Sequence, residues 1–572
     1  MTLLNRCLLA ATACVLLTPF TVAQAAADGS IPMPGQSSAV PSQQPQSSGA
    51  GVYTLKVQSQ VVVLDVVVTD KSGNVVNNLS RDDFEIYEND TKQRVRSFER
   101  PQSHVLPASK AINGTQQLDK EAPQAPVSII VLDEMNTRFE DEYFAKYSLK
   151  KYLNTQGDTL DQPTMLVAVD LQKFNVLQDY TTSKKDILYA LDHHLARYPW
   201  HLANGGKSYI GDMFATTYNA LMQVAQATQG HPGHKNMLWV GHGLPALDTS
   251  LIDDTEALDQ LTETMQTCVM LLRDARITLY WIDAGGVKAA SATDDTQATD
   301  TLFGGGVITM AGMAEATGGK AFFNRNDVDR MIDKSAVYGN SFYTLSYVPS
   351  SVSDDPKEFR KIRIVMKNPN YKAIAREGYY PEAPPPPPML NGKPSDRLVY
   401  DLSMAARSMM VYDGVPISVT RETPTGDAFT IHIDESAIEW TDNGSEPRSA
   451  DIAVLVASFD RKGKMLARNA QNLTATAPAL AQGTSSQKRP INIHLKMSAA
   501  PPVARMRFVV RVAATGKVGA ENVLFVPKSE LKDETTYNPK LKPKKPKNND
   551  VPVNSPANIL NNREDKARSH RF

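Results

Sequence analysis

The chain has 572 residues, of which 22% are charged and 41% hydrophobic, so most of it is expected to fold into globular domains. This length is too great for one core and indicates two to four domains. A formal net charge of −1 excludes a nucleic-acid-binding surface that covers the whole chain. With only three cysteines, two of them near the N-terminus, a disulfide framework and a cysteine-based metal cage are also excluded.

The N-terminus has the pattern of an export signal. Arg6 precedes an apolar run, and a small-x-small cleavage site ends at Ala25. We therefore predict a signal peptide at 1–25 and a disordered leader at 26–50, rich in Ser, Gln, Pro and Gly. A retained anchor and a lipid on Cys14 are the alternatives. No later segment is apolar enough to span a bilayer, so we expect an exported protein, periplasmic or secreted, without a transmembrane anchor in the mature chain.

Residues 51–100 predict an N-terminal β module. Val61 to Val68 is a β-branched run, Asp70 to Gly73 is a turn signature, and Phe84 to Tyr87 alternates like a half-buried strand. The polar, proline-containing residues 101–125 are predicted to be a linker.

Residues 126–382 alternate strands with helices. The first strand, 127–133, is an apolar run interrupted only by Ser128, and it ends in Asp133. The pattern then predicts strands at 165–169, 174–180, 237–240, 277–282 and 320–323, and helices at 138–153, from 183, at 212–229, at 254–275, up to 317 and at 327–338. This alternation predicts an α/β fold with a doubly wound, mostly parallel sheet. Further strands between 341 and 380 are assigned to the same domain.

Two of the predicted helices carry patterned faces. Phe139, Tyr143 and Tyr147 recur at i+4 spacing in the first helix, which places them on one side. Cys268 lies on the apolar face of the helix at 254–275, so it is predicted to be a buried structural thiol.

Residues 383–394 contain an unbroken proline run and are predicted to be a stiff linker. Residues 395–528 are rich in predicted strands, and no stretch with helical periodicity stands out, which favours a C-terminal β-sandwich. Residues 529–572 are rich in Lys and Pro and predict a disordered basic tail.

Several stretches in this order resemble the von Willebrand factor A domain and, more closely, the bacterial exported VWFA-related domain family. They are residues 68–89, Gly233–Val240, Thr317–Phe322, Tyr343–Pro349 and Ala375–Tyr380. The resemblance implies a binding domain with a metal-ion-dependent adhesion site. In such a site an Asp-x-Ser-x-Ser turn, a loop Thr and a later Asp hold a divalent cation, which takes an acidic group from the partner.

The site residues of this chain depart from that pattern. The first motif reads Asp133-Glu-Met-Asn-Thr137, so Met135 stands where a Ser ligand is expected. The loop hydroxyl is not fixed by the sequence, since Ser208 and Thr217 both compete for the role. The motif expected to contain the later Asp reads Gly-His242-Gly.

We therefore predict a degenerate, metal-free binding edge. His242 is expected to hydrogen-bond Asp133 and close the site, and Asp283, which ends a later strand, is expected to fix a loop. The partner would be another protein or a cell-surface component, with no nucleic acid bound. Sequence motifs typical of hydrolases and nucleotide-binding enzymes are absent from the sequence, so a non-enzymatic role is predicted.

Two alternatives remain open. In one, Mg²⁺ at Asp133 and Thr137 bridges to a partner's acidic group. In the other, Asp133 and His242, with His231 or His234, hold Zn²⁺ in a hydrolase. The remaining candidate histidines, His193, His194 and His201, are predicted to be polar surface residues.

Overall fold

The computed structural model describes residues 61–107, 110–170, 174–196, 208–244, 247–248, 255–287, 307–351, 358–381, 394–441, 447–478, 490–527 and 531. The predicted signal peptide and leader, the proline run and nearly all of the predicted tail lie outside these residues. No helix in the described part of the chain is long and apolar enough to cross a membrane.

The elements are numbered in chain order. The first strands are β1 (Val62–Thr69), β2 (Phe84–Glu88), β3 (Thr91–Gln93) and β4 (Val95–Glu99). The α/β part contains α1 (Thr115–Glu121), β5 (Val127–Asp133), α2 (Phe139–Thr155), β6 (Thr159–Val169), β7 (Phe174–Ser183), α3 (Lys184–His193), α4 (Ser208–Ala227), β8 (Lys235–Val240), β9 (Leu247–Asp248), α5 (Thr255–Asp274), β10 (Ile277–Ile282), β11 (Val307–Ile308), α6 (Met310–Ala316), β12 (Lys320–Phe322) and α7 (Val328–Asn340). It is followed by β13 (Phe342–Tyr347), β14 (Arg360–Met366), β15 (Lys372–Ile374) and β16 (Gly378–Tyr379). The C-terminal part contains α8 (Pro394–Arg407), β17 (Tyr412–Asp413), β18 (Ile417–Arg421), β19 (Ala428–Asp434), β20 (Arg448–Phe459), β21 (Met465–Ala477), β22 (Pro490–Lys496), β23 (Arg505–Val512) and β24 (Val518–Leu524).

A six-stranded sheet in the order β12-β10-β8-β5-β6-β7 lies at the centre of the α/β part. Every neighbouring pair is parallel except β6 and β7, which are antiparallel. The strands β5, β8 and β10 are buried along their whole length because helices cover both faces of the sheet. Helices α4, α5 and α6 pack on one face, and α2, α3 and α7 on the other. The prediction of an α/β fold with a mostly parallel sheet is confirmed.

The strands that follow α7 complete the N-terminal β module instead of extending the α/β part. One four-stranded sheet has the order β15-β1-β13-β4 and the other β16-β14-β2-β3, so each combines strands from both ends of the α/β part. Leu64 pairs with Leu345, and both are fully buried in the core that the two sheets share. The division predicted from the sequence, a module at 51–100 and strands appended to 126–382, is corrected here. Each set of strands needs the other to cover its apolar face.

Asp65 of β1 joins this N-terminal sandwich to the α/β part. Its Oδ1 accepts hydrogen bonds from Arg276 Nη2 at 2.7 Å and Thr344 Oγ1 at 2.9 Å, and His234 Nδ1 lies 3.0 Å from Oδ2. Burial alone would raise the pKa of Asp65. The charge of Arg276 and the hydrogen bond from His234 outweigh that effect and hold the pKa well below its usual range.

Replacing Asp65 by Asn is expected to lower the free energy of unfolding at neutral pH by about 2 kcal/mol, since the charge-assisted hydrogen bonds are lost. Because its pKa is lowered, Asp65 is ionised more readily in the folded state than in the unfolded state. The stabilisation by the ionised Asp65 is therefore present above a pH of about 4 and is lost as the pH falls. Urea denaturation at neutral and acidic pH measures both effects, with Asp158→Asn, a fully exposed carboxylate, as the matched control. A wild-type chain that loses no more stability in acid than Asp65→Asn would contradict the assignment.

The C-terminal part consists of two antiparallel sheets, with the orders β17-β24-β23-β20-β21 and β18-β19-β22. Their facing side chains form one core, in which the rings of Phe429 and Phe508 lie 5.3 Å apart. The sequence did not predict α8, whose Leu402 and Ala405 share a core with α4 and α5. The buried Arg507 Nε donates a hydrogen bond to the carbonyl oxygen of Ala405 at 2.9 Å, near the end of α8. The C-terminal part and the α/β part therefore share one continuous apolar core.

The aromatic residues spaced along α2 share the solvent side of the helix. Phe139, Tyr143 and Tyr147 are 46%, 70% and 57% exposed, whereas Leu149 and Leu153 of the same helix are buried against the sheet. The i+4 spacing identified a common face but not the direction in which that face points.

Candidate functional site

Three parallel strands of the central sheet end side by side at the edge where the predicted site residues lie. Strand β5 ends in Asp133, β8 is followed by Gly241, His242 and Gly243, and β10 is followed by Asp283. Since β8 pairs with both β5 and β10 in parallel register, the chain segments after these strands meet at one place. Ligand sites of open α/β sheets lie at this edge.

The carboxylate of Asp133 is buried and accepts four hydrogen bonds. Its Oδ1 accepts from the Asn136 backbone N–H at 2.9 Å. Its Oδ2 accepts from Asn136 Nδ2 at 2.9 Å, Trp239 Nε1 at 3.0 Å and the Gly243 N–H at 2.8 Å. Burial raises the pKa of Asp133, and the hydrogen bonds from these donors oppose the rise. Three protein donors thus surround Oδ2, which is left with no room for a metal ion.

The other predicted ligands at this edge are also engaged or turned inward. Thr137 Oγ1 accepts a hydrogen bond from the His242 backbone N–H at 3.1 Å, and Met135 is buried. Thr217 Oγ1 accepts from Asn136 Nδ2 at 2.8 Å and donates to the carbonyl oxygen of Met213 at 2.9 Å. Of the two loop hydroxyls that competed in the sequence, Thr217 is the one joined to the Asp133 network. Ser208 begins α4, and its side chain lies outside the described residues.

The ring of His242 does not contact Asp133, which corrects the hydrogen bond predicted from the sequence. Its Nε2 lies 3.0 Å from Asp141 Oδ2 on the first turn of α2, and its Nδ1 lies 3.6 Å from Asp283 Oδ1. Asp283 Oδ1 also accepts a hydrogen bond from the Gly285 N–H at 2.9 Å, which fixes the start of that loop. The backbone of the Gly-His-Gly segment, and not the imidazole, approaches Asp133.

This close approach requires glycine at position 241. Gly241 has a φ of +142°, and a Cβ there would lie 2.4 Å from Thr137 Oγ1 and 2.6 Å from Asp133 Cβ. Any other residue would push the segment away from β5, so the glycine helps to keep the site closed.

The predicted alternative of a zinc centre does not fit the arrangement of the histidines. His231 and His234 precede β8, whereas His242 follows it, and β8 is six residues or about 20 Å long. His234 is engaged with Asp65, and His231 Nε2 contacts the carbonyl oxygen of Ala125 at 2.8 Å. Among the described residues, no three His, Cys, Asp or Glu side chains are arranged as a metal-binding group.

A buried ionic cluster lies beside Asp133 and was not found from the sequence. His194 Nε2 lies 2.6 Å from Glu134 Oε1, and Lys146 Nζ lies 3.3 Å from Glu134 Oε1 and 2.8 Å from Glu142 Oε1. Burial disfavours the charge of Glu134, but the hydrogen bond from His194 and the charge of Lys146 lower its pKa. This corrects the prediction for His194, which is buried, whereas His193 is exposed as predicted. The remaining predicted surface histidine, His201, lies outside the described residues.

The donor set around Asp133 therefore does not fit a divalent cation. Three N–H groups point at Asp133 Oδ2, and cations are repelled by such donors. The serine hydroxyl expected at position 135 is replaced by the thioether of Met135, which is a poor ligand for Mg²⁺. We derive no chemical step through a metal at this edge.

Comparisons with known proteins add little to this description. No family model matches the sequence, and no curated protein matches it. Among solved structures, the chain is similar to proximal thread matrix protein 1 from the mussel byssus, with 12% identity and a TM-score of 0.23. The match covers 42% of this chain and 51% of that protein, so the chain spans about half of its length. A likeness this weak supports no statement about fold or function.

Proposed function

We propose that this chain is an exported, non-enzymatic interaction protein whose α/β part is von Willebrand A-like. Its loops at the carboxyl edge of the central sheet would recognise another protein or a cell-surface component without a bridging metal. The observation that carries the proposal is the Asp133 carboxylate, which accepts four hydrogen bonds from the protein itself. The resemblance of the five sequence stretches to the VWFA-related family supports the binding role.

The surface that such a partner would contact is polar and aromatic. The side chains of His242 and Asp141 are 21% and 25% exposed, and the exposed rings of Phe139 and Tyr143 begin the adjoining helix. An imidazole next to a carboxylate, flanked by aromatic rings, can form hydrogen bonds and apolar contacts with a protein surface. This arrangement suits such contacts better than it suits a metal ion that binds a partner's acidic group.

Calorimetric titration of the full chain with Mg²⁺, Mn²⁺ and Zn²⁺ tests the metal-free mechanism. We expect no binding tighter than about millimolar affinity for any of the three ions, since the lone pairs of Asp133 face N–H donors. His242→Ala is titrated alongside the wild-type chain to test whether any metal binding depends on this imidazole. The substitution removes the partly exposed side chain and keeps the donors to Asp133.

Two outcomes would contradict this mechanism. Tight Mg²⁺ binding would restore the cation-dependent alternative at Asp133 and Thr137. Tight Zn²⁺ binding that His242→Ala abolishes would favour the metal-centre alternative.

A further inference from the structure

Strand β21 is the outermost strand of the larger C-terminal sheet, and only residues near its two ends, Met465, Leu473 and Ala475, pack against the apolar cores. It is 13 residues long and, among the described strands, pairs only with β20. Residues Leu466–Asn472 are exposed on both faces, whereas Leu473 and Ala475 near the end of the strand pack partly against the core. Along its outer edge, alternate residues direct their backbone N–H and C=O groups away from β20.

The other sheet edges in the described part of the chain are shorter than β21, and the longest of them, β7, is partly covered. Strands β3, β9, β11, β12, β15, β16 and β17 have two or three residues, β4 and β18 have five, and β22 has seven. Strand β7 has ten residues, but Asn113 bridges to its Thr181 and α1 packs against it. Short and covered edges are the usual protection against unwanted strand pairing. β21 has little of this protection. It is 13 residues long, it contains no Pro, no Lys and one charged side chain, Arg468, and its register with β20 shifts only near its start, at Leu466.

We infer that β21 pairs antiparallel with β21 of a second copy of this chain, which would join two five-stranded sheets into a continuous ten-stranded sheet. The inference goes beyond the proposed function, because it concerns a different part of the molecule. A two-fold axis across the strand makes the pairing self-complementary, as in most closed homodimers.

The charge pattern of β21 favours a second copy over a charged partner strand. Arg468 is the sole charged residue of β21, so in an antiparallel pair it faces itself only if the two-fold axis passes through it. With the axis at any residue from Asn469 to Asn472 it lies opposite an uncharged residue of β21, and no like charges meet. A partner strand rich in acidic or basic residues would find at most one charged side chain to pair with along the strand.

Two proline variants test the pairing. Because backbone groups alternate between the two edges of a strand, one of the neighbours Asn469 and Ala470 donates its N–H to β20 and the other directs it outward. We expect the wild-type full chain to be a dimer by light scattering coupled to size-exclusion chromatography. Of Asn469→Pro and Ala470→Pro, one should keep a melting temperature close to wild type and be monomeric. The other should lose the β20 ladder and melt earlier.

A monomeric wild-type chain would overturn the inference. So would a dimer that survives in the proline variant with the near-wild-type melting temperature, because the two copies would then associate through another surface. Neither result bears on the metal titration, so this inference and the proposed function fail separately.

Single cysteine substitutions at each position of β21, from Met465 to Ala477, locate the axis. Only the residue on the axis lies opposite its own counterpart, so oxidation should give a cross-linked dimer with a sharp maximum at one position. Cys268 is buried, and the wild-type chain serves as the background control. A profile without a maximum would contradict two-fold pairing through β21.

Discussion

Replacing Glu88 by Gln is expected to lower the free energy of unfolding by about 3–5 kcal/mol, the cost of breaking a buried ion pair by removing one partner. Glu88 lies at the end of β2, and its side chain is 2% exposed. Its Oε2 accepts hydrogen bonds from Tyr347 at 2.5 Å and Tyr379 at 2.9 Å, and its Oε1 accepts from Arg360. Glutamine would leave the buried guanidinium of Arg360 without a counter-charge and would place an N–H₂ group among donors.

Glu85→Gln is the matched control for Glu88→Gln. Glu85 lies on the same strand, but its side chain is 30% exposed and its partner Lys92 is 58% exposed, so water replaces the lost interaction. Urea denaturation of both variants measures the difference. A Glu88→Gln chain as stable as Glu85→Gln would show that the polar cluster does not hold the N-terminal sandwich together.

The Glu88 cluster also illustrates which part of the fold could not be predicted from the sequence. Its partners come from β13, β14 and β16, which follow the α/β part in the sequence. In the other sheet of the sandwich, the contact of Asp65 with Thr344 spans 279 positions. Each strand was recognisable from its own alternation, but strand pairing is a tertiary property that local patterns do not encode. The βαβ alternation was predictable because it is local and its handedness restricts the arrangement of strands.

Helix α8 was missed for a related reason. Its buried apolar residues, Leu402, Ala405 and Ala406, include two alanines, which give a weak apolar signal in a region dominated by strands. The side chains pack against α4 and the larger C-terminal sheet, so the helix is defined by neighbours that are distant in sequence.

At the candidate site, the sequence placed Asp133 at the correct edge but did not identify the groups that surround it. Two signals were available. Trp239 lies in an apolar strand, and a buried indole N–H needs an acceptor. Asn136, three residues after Asp133, has a side chain that readily forms local turn hydrogen bonds. The family pattern led to the prediction that His242 hydrogen-bonds Asp133. In the structure, the Trp239 indole and the Gly243 backbone N–H donate to Asp133 instead.

Replacing Asp133 by Ala is expected to lower the free energy of unfolding by about 4 kcal/mol in EDTA, because buried N–H donors then lack an acceptor. Asp133→Asn should lose less, since asparagine keeps one oxygen and removes the cost of burying a charge. A carboxylate kept for metal binding behaves differently, because without metal its removal relieves an unfavourable buried charge. Asp141→Asn, a partly exposed neighbour at the same edge, is the control and should lose less than Asp133→Ala. If Asp133→Ala matches the wild-type chain in EDTA, Asp133 does not close the site, and the metal-free interpretation of this edge fails.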